Sequence, residues 1–138
     1  MKGEIDPMLI TIDFASDIPI YVQLRDQIII GIAEGELALG EALPSVRSMA
    51  AEIGVHAHTV NKAYSTLKEE GFIIIDRRSG CHVAPIIPKS DNSFTDSLRD
   101  KLQPILAAAT CRHMKLEEFI DLCNKIMVDF KEETLDHQ

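Results

Sequence analysis

Residues 43–71 decide the fold: Leu43-Pro44-Ser45-Val46-Arg47-Ser48-Met49-Ala50-Ala51-Glu52-Ile53-Gly54-Val55-His56-Ala57-His58-Thr59-Val60-Asn61-Lys62-Ala63-Tyr64-Ser65-Thr66-Leu67-Lys68-Glu69-Glu70-Gly71. Ser45 stands where a helix N-cap belongs, just before an apolar-periodic run. Val46, Met49, Ala50 and Ile53 fall on one face of the short helix that follows, and Gly54 closes it. Val55-His56-Ala57 leaves room only for a tight connection. Val60, Ala63, Tyr64 and Leu67 then recur at i, i+3, i+4 and i+7, which predicts a second helix running to about Glu70 and stopped by Gly71. Two helices joined by so short a turn read as a helix-turn-helix.

Working outward, Phe72–Ile75 and Cys81–Val83 have the length and β-branching of strands. Asp76-Arg77-Arg78-Ser79-Gly80 between them reads as a hairpin tip. Upstream, Tyr21, Leu24, Ile28 and Ile32 recur at helical spacing, with Pro19 suited to a first turn and Gly35 to a C-terminal cap. The run Ile28-Ile29-Ile30 is apolar on more than one face, so part of this helix should pack on something beyond its own core. Residues 8–14, Met-Leu-Ile-Thr-Ile-Asp-Phe, are β-prone and predict a short strand or an extended arm. The expected fold class is mainly α with a small β-wing. A winged helix-turn-helix covers residues 9–84, a Pro- and Ser-containing linker 85–92, and a helical region 93–133.

That last region carries two apolar stripes. Leu98, Leu102, Ile105, Leu106 and Ala109 make one; Leu116, Phe119, Ile120, Cys123, Met127 and Phe130 make the other. Pro104 should kink or split the first of these helices. Two amphipathic helices of this size cannot bury their apolar faces on each other alone. A second subunit is the least costly cover, so a C-terminal helical dimerisation hairpin and a homodimer are expected.

Bulk properties narrow the function. Over 138 residues, a hydrophobic content of 46% supports a real core and argues against wholesale disorder. No apolar run approaches the roughly 20 residues of a membrane helix. The N-terminus, Met1-Lys2-Gly3-Glu4-Ile5-Asp6-Pro7, has neither a basic region followed by an apolar stretch nor a cleavage site, so a cytoplasmic location without membrane contact is expected. Cys81, Cys111 and Cys123 are an odd set with no C-x-x-C pair, unlike a secreted disulfide framework. The formal net charge of −8 argues against nucleic acid until its distribution is read. Residues 1–43 carry net −6 and residues 85–138 net −3. Residues 44–84 carry net +1, from Arg47, Lys62, Lys68, Arg77 and Arg78 against four acids, with His56, His58 and His82 beside them. A phosphate backbone meets a local patch, so this distribution matters more than the total.

In a winged helix-turn-helix the second helix offers its N-terminal end to the major groove. With Val60, Ala63, Tyr64 and Leu67 inward, His58, Lys62 and Ser65 point outward and Asn61 lies at the edge. These types reach base edges and phosphates, and asparagine suits a bidentate contact with adenine. The candidate DNA-contacting set is Ser45, Arg47, His56, His58, Thr59, Asn61, Lys62, Ser65, Arg77, Arg78 and Gly80, and the expected partner is double-stranded DNA.

Several blocks carry a resemblance. Pro19-Ile20-Tyr21, Gly35-Glu36-Leu37-Ala38-Leu39-Gly40, Leu43-Pro44-Ser45-Val46-Arg47, Thr59-Val60-Asn61-Lys62-Ala63-Tyr64, Leu67-Lys68-Glu69-Glu70-Gly71 and Gly80 stand in the order and spacing of GntR-family bacterial regulators. The chain resembles that family over roughly residues 9–84, and its short tail resembles the YtrA-like branch. The resemblance implies a DNA-binding transcription regulator, more often a repressor. It further implies that Arg47 contacts phosphate or base, that Asn61 and Lys62 lie on the recognition helix, and that Gly80 lies in the wing. Four departures follow. His56-Ala57 replace a usual Ser-Arg, which removes a helix cap and an arginine. Asn61 stands where arginine is common, Arg78 replaces a frequent glycine, and Cys81-His82 replace a small hydroxyl residue and an aromatic. Operator preference therefore cannot be carried over from relatives.

Other classes are weaker. His56, His58, Cys81 and His82 are metal-ligand types that would lie near one another, so a zinc or copper sensor is the alternative, although a tight ligand cluster is lacking. A redox switch at Cys81 would need a lowered pKa. An enzyme would need a phosphate loop, nucleophile elbow or H-E-x-x-H, and the chain has none of them. A protein-binding adaptor would not need Arg47, Lys62, Arg77 and Arg78 on one side. The sequence points to no metal and no cofactor. A small-molecule effector would require a pocket, expected only at a dimer interface.

Overall fold

The computed structural model describes residues 10–130. Five helices and two strands follow in order: α1 (Ile20–Ala33), α2 (Val46–Ile53), α3 (Ala57–Glu69), β1 (Ile73–Asp76), β2 (Gly80–Val83), α4 (Asn92–Cys111) and α5 (Leu116–Met127). They divide into two units, with the boundary between Ile87 and Pro88.

In the first unit the periodic positions become the core. Leu24, Ile28 and Ile32 from α1, Met49 and Ala50 from α2, and Val60, Ala63, Tyr64 and Leu67 from α3 are all buried, with Ile73 and Val83 closing one end. Local signals set the ends of the helices. The Ser45 hydroxyl accepts the Ser48 amide at 3.1 Å, and Gly54, at φ +75°, ends α2 in the left-handed conformation that glycine tolerates best. α2 and α3 both pack on the same interior, and α1 packs along α3.

Among the described residues of the N-terminal segment the strand expected of it does not form. Residues 10–13 pair with no strand; Met8 and Leu9 lie outside the described residues. Two glutamines one helical turn apart hold the segment instead. The Thr11 amide donates to the Gln27 side-chain carbonyl at 2.7 Å, and the Gln27 side-chain N–H donates back to the Thr11 carbonyl. Gln23 repeats the exchange with the Asp13 amide at 2.9 Å and its carbonyl at 3.1 Å. Side-chain amides thus supply the paired donor and acceptor that a neighbouring strand would have offered, and Ile10 is carried into the core.

The two strands form an antiparallel ladder from Ile73 opposite Val83 to Asp76 opposite Gly80; the first lies one residue later than expected from the sequence, and the second begins one residue earlier and ends where expected. Loop residues 40–43 add a third rung that periodicity did not reveal. Ala42 bridges His82, the Leu43 amide donates to the Cys81 carbonyl at 2.8 Å, and the Val83 amide donates to the Glu41 carbonyl at 2.8 Å.

The second unit, Pro88–Phe130, holds α4 and α5. Asp91 caps α4 by accepting the Phe94 amide at 2.8 Å, and the Lys115 amide donates to the Glu118 carboxylate at 3.1 Å at the start of α5. Pro104 does not split α4, which runs unbroken through it for 20 residues. The proline removes one internal hydrogen bond, and the turns on both sides carry the helix across the gap. The two helices scarcely touch each other, and neither has a buried residue. Ile105 is 53% exposed and Leu116 67%.

Candidate nucleic-acid interface

Tyr64 organises the interface from inside. Its ring fills the core, and its buried hydroxyl donates to the Pro44 carbonyl at 2.8 Å. Burial pushes the phenol well above its usual range, so it remains a donor at any physiological pH. This single bond fixes α3 to the residue before the α2 cap. The adjacent Leu43 amide bonds the Cys81 carbonyl in β2. The start of α2, the body of α3 and the root of the hairpin are therefore fastened through three consecutive residues, 43–45.

Most of the predicted contact residues face outward from that frame. Ser45 and Arg47 are exposed at the start of α2, with the Ser45 hydroxyl already engaged as the cap. His56 occupies the N-cap position of α3 and makes no side-chain cap bond, as the departure from Ser-Arg implied. His58, Asn61, Lys62 and Ser65 are exposed along α3, whereas Thr59 is half-buried. Arg77 and Arg78 are exposed at the hairpin tip, where the Asp76 carboxylate accepts the Arg78 amide at 2.7 Å and sets the turn. Gly80 takes φ +86°, and a Cβ there would meet nothing within 4 Å. The backbone, not a close neighbour, asks for glycine at that point.

Charge pairing separates the arginines. Arg25 on α1 is bound by the Glu70 carboxylate through Nε at 2.8 Å and Nη2 at 2.5 Å, and by Asp26 at 2.6 Å. Those hydrogen bonds hold its guanidinium firmly in the charged form. Arg47, Arg77 and Arg78 carry no ion pair among the described residues, which leaves their donors for an outside anion. Lys62 has a different companion: its ammonium lies 4.1 Å from the centroid of the Tyr21 ring.

The Arg25–Glu70 pair, the Tyr21–Lys62 contact and the Ala42–His82 bridge were all missed in the sequence. Each joins elements far apart in the chain, and periodicity reports only the face on which a residue lies. Tyr21 did belong to a block that carried the resemblance, though nothing in that block names the residue it meets.

The metal-sensor alternative gains nothing from the geometry. Among the described residues no three histidines, cysteines or carboxylates gather as a ligand group, and a His82 ring nitrogen is 2.9 Å from the Ser79 carbonyl. Burial pushes the Cys81 thiol up to about 11, opposite to what a metal-binding or redox-active thiolate requires. The expectation that a pocket arises only between subunits also needs correction. The first unit holds a recess of about 210 Å³ lined by Ile10, Gln27, Ile30, Gly31, Glu34, Glu36 and Leu37, smaller than the roughly 300–1,000 Å³ of most small-molecule sites.

A short helix, tight turn and second helix, followed by a two-stranded hairpin tied back to the start of the first, define a winged helix-turn-helix DNA-binding domain. The family model described as bacterial regulatory proteins, gntR family, matches residues 20–83. The chain is 30% identical over 130 residues to the HTH-type transcriptional repressor YtrA of Bacillus subtilis, covering 89% of this chain and 95% of that one. Among solved structures, YtrA from Sulfolobus acidocaldarius, a GntR-family transcription factor, is 41% identical with a TM-score of 0.60, covering 72% of this chain and 98% of that one. A transcriptional antiterminator from Listeria monocytogenes EGD-e reaches a TM-score of 0.77 at 31% identity, over 83% of this chain and 87% of its own. The chain belongs to the GntR family and is one of its DNA-binding transcription regulators.

Proposed function

We propose that the chain is a cytoplasmic repressor acting as a homodimer on an inverted-repeat operator. Arg47, His58, Asn61, Lys62 and Ser65 meet bases and nearby phosphates, and Arg77 and Arg78 hold the backbone beside them. Ser45, His56, Thr59 and Gly80 frame these contacts. The observation that carries the reading is the exposed polar face of α3, fastened by Tyr64 and Leu43 to an exposed Arg47 and a basic hairpin tip. Repression is supported by the YtrA relative, which is named a repressor.

Dimerisation is assigned to α4 and α5, through Leu98, Leu102, Ile105, Leu106, Leu116, Phe119, Ile120, Cys123, Met127 and Phe130. The support is that neither helix buries a residue within its own chain. Leu98, Leu102 and Leu106 with Thr95, Arg99 and Gln103 line an open recess of about 490 Å³ on α4, which side chains of a second copy can fill. A two-fold dimer presents two recognition helices about one DNA turn apart, so its target should have a dyad. The test is selection of duplexes from a random pool by the purified protein. An inverted repeat is expected, and enriched sequences without a dyad would overturn the dimeric reading. Placing the selected site over a reporter promoter then separates repression from activation.

A further inference from the structure

Tyr21 and Lys62 belong to different helices and meet at one point, with the ammonium 4.1 Å from the ring centroid. One turn further along α1, Arg25 grips Glu70 just past the end of α3. α1 is therefore fastened to α3 at two places, two turns apart on the recognition helix. The Arg25–Glu70 pair explains itself, since it joins opposite charges from two packed elements. The Tyr21–Lys62 contact is different, because Lys62 is exposed and an exposed cation on a ring adds little to a fold.

Its effect on Lys62 itself is larger. Lysine is a compact charge on a flexible four-carbon stem. A stem that is free in the unbound protein must be ordered when its ammonium takes a place on DNA. Stacking on the ring restricts the stem beforehand. The ring engages one side of the ammonium and leaves the N–H groups on its other side available to acceptors. Lys62 adjoins Asn61 on the exposed face of α3, so restricting it also restricts what can sit beside Asn61.

We propose that Tyr21, on a helix that offers no residue of its own to the candidate interface, is a positioning residue that presets Lys62 for DNA and so takes part in operator selection. The inference rests on the assignment of Lys62 to the DNA face. Tyr21 also packs against the edge of the core. Leucine or methionine at that position keeps the apolar packing without the ring, and phenylalanine keeps both.

The experiment uses the full chain and the duplex that the wild type enriches from a random pool. Binding is measured for Tyr21→Phe, Tyr21→Leu, Tyr21→Met, Lys62→Ala and Tyr21→Leu/Lys62→Ala, with thermal unfolding as a check on the fold. Tyr21→Phe should bind as the wild type does. Tyr21→Leu and Tyr21→Met should weaken binding by about two- to fivefold per half-site, the span of an exposed cation–π contact. They should relax preference at the base pair that Lys62→Ala relaxes, and the double variant should bind no worse than Lys62→Ala alone. The proposal is overturned if the non-aromatic variants bind as well as wild type or better, if Tyr21→Phe loses as much as they do, or if the two losses simply add. Should Lys62→Ala change neither affinity nor preference, the assignment of Lys62 to the DNA face falls, and the inference falls with it. An effect of Lys62→Ala with no coupling to Tyr21 sinks the inference alone.

Discussion

Two residues do separable work. Asn61 is exposed on α3, where both amide donors and its acceptor can reach a base, so Asn61→Ala should relax the preference at one position per half-site. A base-reading contact is worth roughly 1–3 kcal/mol of discrimination, and competition between single-base operator variants measures it. Tyr64 belongs to the frame. Tyr64→Phe leaves the Pro44 carbonyl without its buried partner and should destabilise the domain by about 1–2 kcal/mol in urea titration. Operator choice should be unchanged once the domain is folded. Cys81 gives a third test. The unfolded thiol ionises near 9 and the folded one near 11, so the folded state retains a proton that the unfolded state has lost between those values. The contribution of this group to stability is present below 9 and is lost as pH rises through 11. At pH 8 alkylation of Cys81 should be at least roughly a hundredfold slower in native protein than in urea, since two pKa units set the thiolate fraction. Equal rates would show the thiol is not protected.

At the level of elements, the helices were legible and their fastenings were not. α2 and α3 could be placed from Ser45, Gly54 and the Val60–Leu67 period because caps and amphipathic faces are written locally. Gly54→Ala should cost about 1–2 kcal/mol from the left-handed backbone alone, as open space surrounds the added methyl, and thermal unfolding of the variant measures it. Residues 10–13 belong to a β-prone stretch, yet Gln23 and Gln27 hold them without a partner strand. β-propensity reports side chains that suit a pleated, half-buried surface, and it does not say which groups supply the hydrogen-bonding partner. Pro104 shows the same limit from the other side, since a helix with intact flanking turns runs through a residue that weakens it locally. The wing makes its own prediction. Arg77→Ala/Arg78→Ala should weaken operator and scrambled duplexes alike and flatten the salt dependence of log K by about one unit for each phosphate the wing no longer neutralises. Both wings of a dimer carry the change, which doubles the figure. A wing variant that changed base preference but kept the salt slope would reverse the roles given to the wing and to α3.

Along the chain the acid excess lies outside the candidate DNA-contacting segment, with net −6 over residues 1–43 and net −3 over residues 85–138 against net +1 over residues 44–84. The candidate contact residues were legible because the period of α3 tells inward from outward. Their attachment to one another was not, since it runs through Tyr64, Leu43 and Ala42. A chain ending at Pro88 should sediment as a monomer and lose most of its operator affinity; if it remains dimeric and binds as before, α4 and α5 serve another purpose. One consequence of those bare helices is kinetic. An isolated helix of 12 residues is marginal in water and Pro104 weakens the one of 20, so with the proposed dimer their ordering is a second-order event, while the winged unit folds at a rate indifferent to dilution. Each tenfold fall in concentration then takes about 1.4 kcal/mol from the assembled tail and nothing from the DNA-reading unit. Copy number in the cell would thus govern occupancy of the operator more steeply than a single-site binding curve allows.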